Sequence, residues 1–524
     1  MPLIDIQWSW IAPELVLAGF ALAALLAAVI GAAARGRGAS AKAAMGPEGG
    51  PGLRLAAALS MAGVALSAIL TLPQLAAGSE RLHFWGGMAH DPFSAFLKVM
   101  VALSVLVVMV MLGGYWRALH NRPEIYALLA LATLAIYFMA SAAELVLLAL
   151  AIEFLSLTSY VLVGYLKHEP RSAEAGLKYF LFGALCSAVM LYGMSLLYGL
   201  TGSTTLQGIG AAISGPAAGT RPEILLAAIL LVLAGLGFKI AMVPFHQWVP
   251  DAYEGAPTPI TAFLSVASKA AGFAVAIRFF AMAFPVEEIA HHWATIVAIL
   301  AMLTMTWGNT VAIWQTNMKR MLAYSSIAQA GYVMVGLAAL GIGGRAVEAY
   351  AIPGILLYLA VYLFMNLGAF AVVIAVANRG GTEEIPGYAG LHHRAPWLAA
   401  VLTLFLLSLI GIPPTAGFVG KVWLFLAAIR GNSVLLAVLA VVLFINSVIS
   451  AYYYLGVVRR MYLEAPEDST PLSTNRPLVG ALAVCAIATL VIGLYGQPLF
   501  ALAQETAATS TLLHGVTLWQ SAGR

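Results

Sequence analysis

The chain has 524 residues, of which 62% are hydrophobic and 9% charged, whereas ordinary soluble domains carry about 25% charged residues. That composition excludes a soluble globular enzyme and reads as a protein that crosses a bilayer many times. The net charge of +4 is small and dispersed, so nucleic acid is not an expected partner. Two cysteines, Cys186 and Cys485, fall in distant apolar runs and offer no disulfide framework.

The first segment, MPLIDIQWSWIAPE, lacks a basic n-region and leads into an apolar run long enough to span. It is expected to be a transmembrane helix, not a cleaved signal. Runs of about 20 apolar residues then recur, giving fourteen spans centred near residues 24, 65, 103, 133, 155, 187, 236, 270, 303, 331, 364, 411, 446 and 487. The longest connections are Arg35–Arg54, Thr201–Arg221, Asn378–Pro396 and Leu463–Pro477, all too short for a soluble domain. A weakly amphipathic tail, Leu499–Arg524, closes the chain. The expected fold is therefore an all-α polytopic membrane protein.

Loop charges set an orientation. Fifteen lysines and arginines follow odd-numbered spans, including Lys319, Arg320, Arg459 and Arg460, against five on the opposite side. By the positive-inside rule both termini face outward.

Five of the eight lysines lie inside the apolar segments: Lys98, Lys178, Lys239, Lys269 and Lys421. A charge at mid-bilayer costs about 2.5–3.5 kcal/mol even on the lenient insertion scale, so each needs a reason. Two lysines stand beside prolines that interrupt their spans, in GFKIAMVPFHQWVPDAY and GIPPTAGFVGKVW. These interrupted spans are the seventh and twelfth, five apart, so corresponding five-helix units would be inverted relative to each other. Paired broken helices in inverted repeats point to an ion site at mid-membrane.

Glu153, in LLALAIEFLSLTSYVLVGY, is embedded like the lysines and is the natural partner for Lys239. A lysine whose partner comes and goes is a switchable proton site. Lys98 and Lys178 lie nearer the starts of their runs, where snorkelling to the interface is the competing reading. Lys421 either carries protons or satisfies carbonyls freed by the Pro413–Pro414 break. Glu144, nine residues before Glu153, is interfacial or an accessory. His246 either relays protons or caps the broken helix. Tyr324, Ser325, Ser326 and Gln329, with Ser265 and Asn366, either hold water between lysines or serve helix packing. No histidine pair deep in the spans suits bis-histidine haem. There is no GxxxxGK[ST] and no GxGxxG on a strand-to-helix turn, so no nucleotide site is expected in this chain.

These residues resemble a known family. LALAIEFLSLTSYVLVGY, EAGLKYFLFGALCSAVMLYG, FKIAMVPFHQWVPDAYEGAPTPITAFLSVASKA, MKRMLAYSSIAQAGY and LLSLIGIPPTAGFVGKVWLF are similar to the antiporter-like membrane subunits of respiratory complex I. The similarity runs from about Pro13 to beyond Tyr462. It implies fourteen spans with two inverted five-helix repeats, divided as 1–120 for three N-terminal helices, 121–285 and 286–462 for the repeats, and 463–524 for the last helix and tail. It implies that Glu153 pairs with Lys239, that Lys269 is a central relay and that Lys421 lies on the exit side. A lysine at that last position fits the subunit N branch, since the sister subunit M has a glutamate. Lys178 matches a sixth-span lysine of that branch, and Gln329 stands where many relatives carry histidine. The implied activity is proton translocation in the bacterial inner membrane. NADH, FMN, iron–sulfur clusters and quinone would be bound by other subunits, and subunits M and K and the lipid bilayer would be neighbours. A cation/proton antiporter or membrane-bound hydrogenase subunit, a structural spacer and a solute transporter are the competing classes.

Overall fold

The computed structural model describes residues 8–35, 51–76, 81–115, 123–214, 222–380, 382–466, 470–472, 474–510 and 512. The greater part of the Arg35–Arg54 loop and half of the Leu499–Arg524 tail lie outside these residues. So do Arg37, Lys42, Arg117, Arg122, Arg221 and Arg524 among the basic residues used for orientation.

Helices α1 (Trp8–Arg35) and α2 (Pro51–Ala76) precede a small antiparallel hairpin, β1 (Arg81–His83) and β2 (Met88–His90). The hairpin departs from the all-α expectation because three-residue strands leave no readable alternation. Its turn runs through Phe84, Trp85 and Gly86, all at positive φ. Then come α3 (Pro92–Gly114), α4 (Glu124–Ser141), α5 (Leu145–Val163), α6 (Pro170–Thr201), α7 (Leu206–Ser214) and α8 (Pro222–Ile240). After a break, α9 (Val249–Gly255) leads to a rod made of α10 (Thr258–Phe263), a π-helical turn (Leu264–Ser268) and α11 (Lys269–Ala283). Helices α12 (Glu287–Ala312), α13 (Met318–Ile342), α14 (Arg345–Gly380) and α15 (Leu391–Arg394) follow. A second break separates α16 (Pro396–Ile410) from α17 (Ala416–Arg430), and α18 (Val434–Leu463), α19 (Arg476–Leu494) and α20 (Gln497–Ala508) complete the fold.

Among the described residues, thirteen helices, the rod counted as one, are long and apolar enough to cross a membrane. Each contains one of the expected centres. The remaining centre, residue 411, falls on the break between α16 and α17, each of fifteen residues. The rod is wholly enclosed by protein and α13 and α14 nearly so, whereas α1, α2, α18 and α19 expose most of their length. Apolar side chains on those outer faces suit lipid or neighbouring subunits.

Close approach of backbones fixes the inner helices. A Cβ on Gly308 would meet Ala328 N at 2.6 Å, and one on Gly331 would meet Met305 N at 2.7 Å. Reciprocal small residues therefore let α12 and α13 touch through their backbones, the packing device of membrane helices.

The two breaks share a backbone pattern. Ala241 and Gly411 take left-handed φ values of 65° and 91°, and in each case a cis peptide precedes the proline three residues on, Pro244 or Pro414. Inside a bilayer the freed carbonyls must find internal partners. At the first break Met242 N donates to Gly237 O at 2.8 Å and Trp248 Nε1 donates to Phe238 O at 3.2 Å. At the second, Gly417 N donates to Ser408 Oγ at 3.0 Å, while Lys421 serves the carbonyls of Leu409 and Ile410.

A Cβ on Gly417 would stand 1.7 Å from Ser408 O, a backbone atom that cannot yield. Gly417→Ala is therefore expected to destabilise the protein by about 1–3 kcal/mol, read as a lower thermal midpoint in detergent. Gly480→Ala, where open space surrounds the site, should leave the midpoint in place.

Candidate functional site

One buried lysine lies where the rod changes winding. Lys269 is the first residue after the π turn, a distortion frequent at functional positions. Its Nζ donates to both the carbonyl and the hydroxyl of Ser326 on α13. Asn366, from α14, holds the π turn by donating to Ser265 Oγ at 2.7 Å. Tyr253 Oη stands 3.4 Å from Ser326 Oγ, so α9, α11 and α13 converge on one serine.

One helical turn along α13, Gln329 donates from Nε2 to Leu409 O at 3.2 Å and accepts from Tyr358 Oη. The same carbonyl accepts from Lys421 Nζ at 3.1 Å. Lys421 also donates to Ile410 O at 2.8 Å and Ser447 Oγ at 3.2 Å, and lies 4.4 Å above the ring of Tyr332. Thus α13 links Lys269 to Lys421 through two side chains on one face. A second, longer string of partners flanks it. Ser325 bonds to Tyr454, Tyr453 Oη donates to Asn309 Oδ1 at 3.0 Å, and Asn309 Nδ2 donates to Tyr332 Oη at 2.9 Å.

Lys239, in the last turn of α8, is buried and donates to Ser156 Oγ at 3.0 Å. Ser156 lies three residues beyond Glu153, on the same face of α5. The direct Glu153–Lys239 ion pair that the family resemblance implies is not formed: Lys239 is turned onto the serine, and Glu153 Oε1 is buried without a hydrogen-bond partner. The acid and the base occupy neighbouring positions with their contact open.

The other expected residues are placed as follows. Lys178 is 41% exposed and sits 2.7 Å from both Glu174 Oε1 and Asp251 Oδ2, at the rim and away from Lys239's serine. Glu144 caps α5, accepting from Leu147 N at 2.8 Å. His246 lies in the first break with Nδ1 buried and unpartnered, its ring edge-on to Trp307 at 6.0 Å. It does not cap α9, which begins without a side-chain cap.

Lys98 corrects the snorkelling reading. It is buried, and Glu14 Oε1 comes within 2.6 Å of its Nζ, so α1 supplies the counter-charge that the interface would otherwise provide. Lys319, expected in a loop, belongs to the first turn of α13 and is buried. Its Nζ donates to Glu254 O at 2.7 Å and Ala256 O at 2.9 Å, closing the C-terminal end of α9.

Asp251 and Glu254 were not anticipated. Arg320 Nη1 donates to Asp251 Oδ1 at 2.7 Å and to Glu254 Oε2 at 2.8 Å, so an ionic interlock ties α6, α9 and α13 together at the rim of the first break. Their signal was present in PDAYEG, where two acids lie three apart on one helical turn. Among the described residues no group of three or more His, Cys, Asp or Glu side chains is placed to hold a metal ion.

An interrupted helix beside a buried acid and a line of buried lysines defines an ion-conducting membrane subunit. A family profile described as "NADH:quinone oxidoreductase/Mrp antiporter, TM" matches residues 142–450. NADH-quinone oxidoreductase subunit N of Heliobacterium modesticaldum is 46% identical over 418 residues, 80% of this chain and 85% of its own length. A chain of respiratory complex I from Thermus thermophilus is 32% identical and superposes with a TM-score of 0.73, covering 94% of this chain and 99% of that one. A chain of the Mrp complex from Dietzia sp. shares the fold, with a TM-score of 0.79 at 22% identity over 98% and 100% of the two chains. The chain belongs to the family of NADH:quinone oxidoreductase and Mrp antiporter membrane subunits.

Asp251 supplies a pH test of the interlock. Burial raises its carboxyl, but the hydrogen bonds and charges of Lys178 and Arg320 outweigh it and hold Asp251 below the ordinary range. A carboxylate lowered on folding stabilises fully above its unfolded value, near 3.9, and loses that contribution as the pH falls through the lower folded value. Asp251→Asn should therefore cost about 1 kcal/mol, given partial exposure, from neutral pH down to about pH 4. Below that its thermal midpoint should merge with that of the native chain.

Proposed function

We propose that this chain is the subunit N-type component of a proton-pumping NADH–quinone oxidoreductase and carries protons through its buried acid and lysines. The observation that carries this reading is the placing of two polar side chains one turn apart on α13, Ser326 bonded to Lys269 and Gln329 bonded to the carbonyl that Lys421 holds. Sequence identity of 46% to a subunit N supports that assignment over an antiporter subunit, for which the likeness reaches only the fold.

In this reading the segments around residues 411–415 complete a fourteenth crossing, and residues 121–285 and 286–462 form two inverted five-helix repeats. The matching left-handed residues Ala241 and Gly411 support that correspondence. Residues 1–120 form the N-terminal three-helix segment, and 463–524 the last helix and tail. Both termini face outward in a bacterial inner membrane, with subunits M and K as neighbours. The redox groups and quinone reside in other subunits, so this chain does the translocation and not the electron transfer.

Lys239 exchanges partners between Glu153 and Ser156. When the pair closes, the ammonium is held by a carboxylate; when it opens onto the serine, its proton is released towards Lys269. From there the Ser326–Gln329 turn carries charge to Lys421, which discharges on the exit side. Glu144, Lys178 and His246 are accessories at the rims, with the Lys178–Asp251–Arg320 interlock steadying the first break. Moving one charge against 100 mV takes about 2.3 kcal/mol, comparable with the 1.5–3 kcal/mol of one charge-assisted hydrogen bond. Switching a single buried contact is sufficient in scale.

Lys239→Ala in an assembled complex, reconstituted in vesicles, should lower proton pumping about tenfold or more, since it removes one such contact. Quinone reduction measured with an uncoupler should continue. Native pumping by that variant would refute the proposal.

A further inference from the structure

A second buried acid–base cluster lies outside the lysine line, among the N-terminal helices. Glu14 of α1 and Lys98 of α3 face each other at 2.6 Å, both buried. Neither Glu14 oxygen nor Lys98 Nζ makes a hydrogen bond beyond this contact. His90, at the end of β2, brings Nε2 to 4.0 Å from Glu14 Oε1, and both its ring nitrogens are buried without hydrogen-bond partners. Its ring meets the edge of His83 at 5.1 Å, and His83 is half-buried on the hairpin. From α4, the ring of Tyr137 lies 5.9 Å from Lys98 Nζ, its hydroxyl 3.2 Å from Ser67 of α2.

Asp91 and Arg278 complete the charged groups around the cluster and show what a structural pair looks like in this protein. Arg278 donates to both oxygens of Asp91, at 3.1 and 2.9 Å, and to Ala140 O at 3.1 Å. Asp91 also accepts from Ser94 N at 2.9 Å, capping α3. Both carboxylate oxygens and both terminal nitrogens of that clamp are used, and it ties the end of the hairpin to α11, the helix that begins at Lys269. Glu14–Lys98 has the opposite character. A buried ion pair without supporting hydrogen bonds contributes little to stability, and an apolar pair of similar volume serves as well or better. Such a pair is poorly suited to holding helices together and well suited to changing its protonation.

We propose that Glu14 and Lys98 form a second proton-exchange site, opening to the hairpin face through His90 and His83. The proton moves from Lys98 Nζ to Glu14 Oε1, the N–H bond breaking as the O–H bond forms, and the ion pair becomes a neutral pair. Glu14 then gives the proton to His90 Nε2, while His90 Nδ1 releases its own towards His83. Burial first, and the Lys98 charge second, hold His90 down to about 2, so the ring is neutral near pH 7. A neutral imidazole accepts on one nitrogen and donates from the other, as this step needs. The site's link to the lysine line is the Asp91–Arg278 clamp on α11.

This inference rests on the proton-translocating reading, and one set of vesicles separates the two. The whole complex carrying Glu14→Leu with Lys98→Met should assemble, since an apolar pair fills the space, but should pump fewer protons per electron than native. Native proton-to-electron ratios in this variant would overturn the proposal and make the pair structural. Should the variant not assemble, the native complex is treated with dicyclohexylcarbodiimide, which modifies only protonated carboxyls in apolar surroundings. Peptide mass spectrometry should then find Glu14 labelled. Absence of labelling at every pH would overturn the proposal. A Lys239→Ala complex that pumps normally would instead sink the underlying reading, whatever Glu14 does.

Discussion

A helix interrupted inside a membrane leaves carbonyls that water cannot satisfy, and the site is organised by how this chain meets that demand twice. At the first break the chain's own turn and the Trp248 indole serve Gly237 and Phe238. Lys239 is thereby spared and reaches across to α5, where Ser156 and Glu153 offer alternative partners. At the second break Lys421 itself serves Leu409 and Ile410. Lys239 thus meets a side chain across the gap, and Lys421 is anchored at a carbonyl cluster. The two breaks share backbone geometry but assign different work to their lysines.

The wholly enclosed rod and α13 connect those ends. Backbone contact between α12 and α13, made possible by Gly308 and Gly331, leaves α13 one rigid face for Ser326 and Gln329. Those two residues are one turn apart, so a lysine on the rod and a lysine beyond the break meet the same helix at adjacent levels. At the rim, Arg320 and Lys319 of α13 grip α9 through its side chains and its terminal carbonyls. A single helix therefore positions both the partners of the two lysines and the mouth of the first break.

Much of this was legible in the chain. Apolar run lengths gave thirteen of the crossing helices directly, and the prolines beside Lys239 and Lys421 marked both breaks. The fourteenth centre landed on a break because hydropathy averages over a few interrupted residues. Partners were less legible than positions. Glu14 was visible as an acid entering an apolar run, yet its pairing with Lys98 depends on how α1 meets α3, which periodicity does not encode. Ser156, which Lys239 meets, carries no charge to mark it in the sequence beside Glu153. Gln329, which stands where the resemblance puts histidine in many relatives, donates to a carbonyl that Lys421 shares. The hairpin escaped notice because its strands are only three residues long.

The central claim is that α13 carries charge between Lys269 and Lys421 through adjacent side chains. Its most direct test is the proton-to-electron ratio of the reconstituted complex bearing Gln329→Leu, which keeps the volume of the side chain and removes its donor. The account predicts a lower ratio, with Ser326→Ala adding no further loss because both act in one series. An unchanged ratio in Gln329→Leu would contradict it.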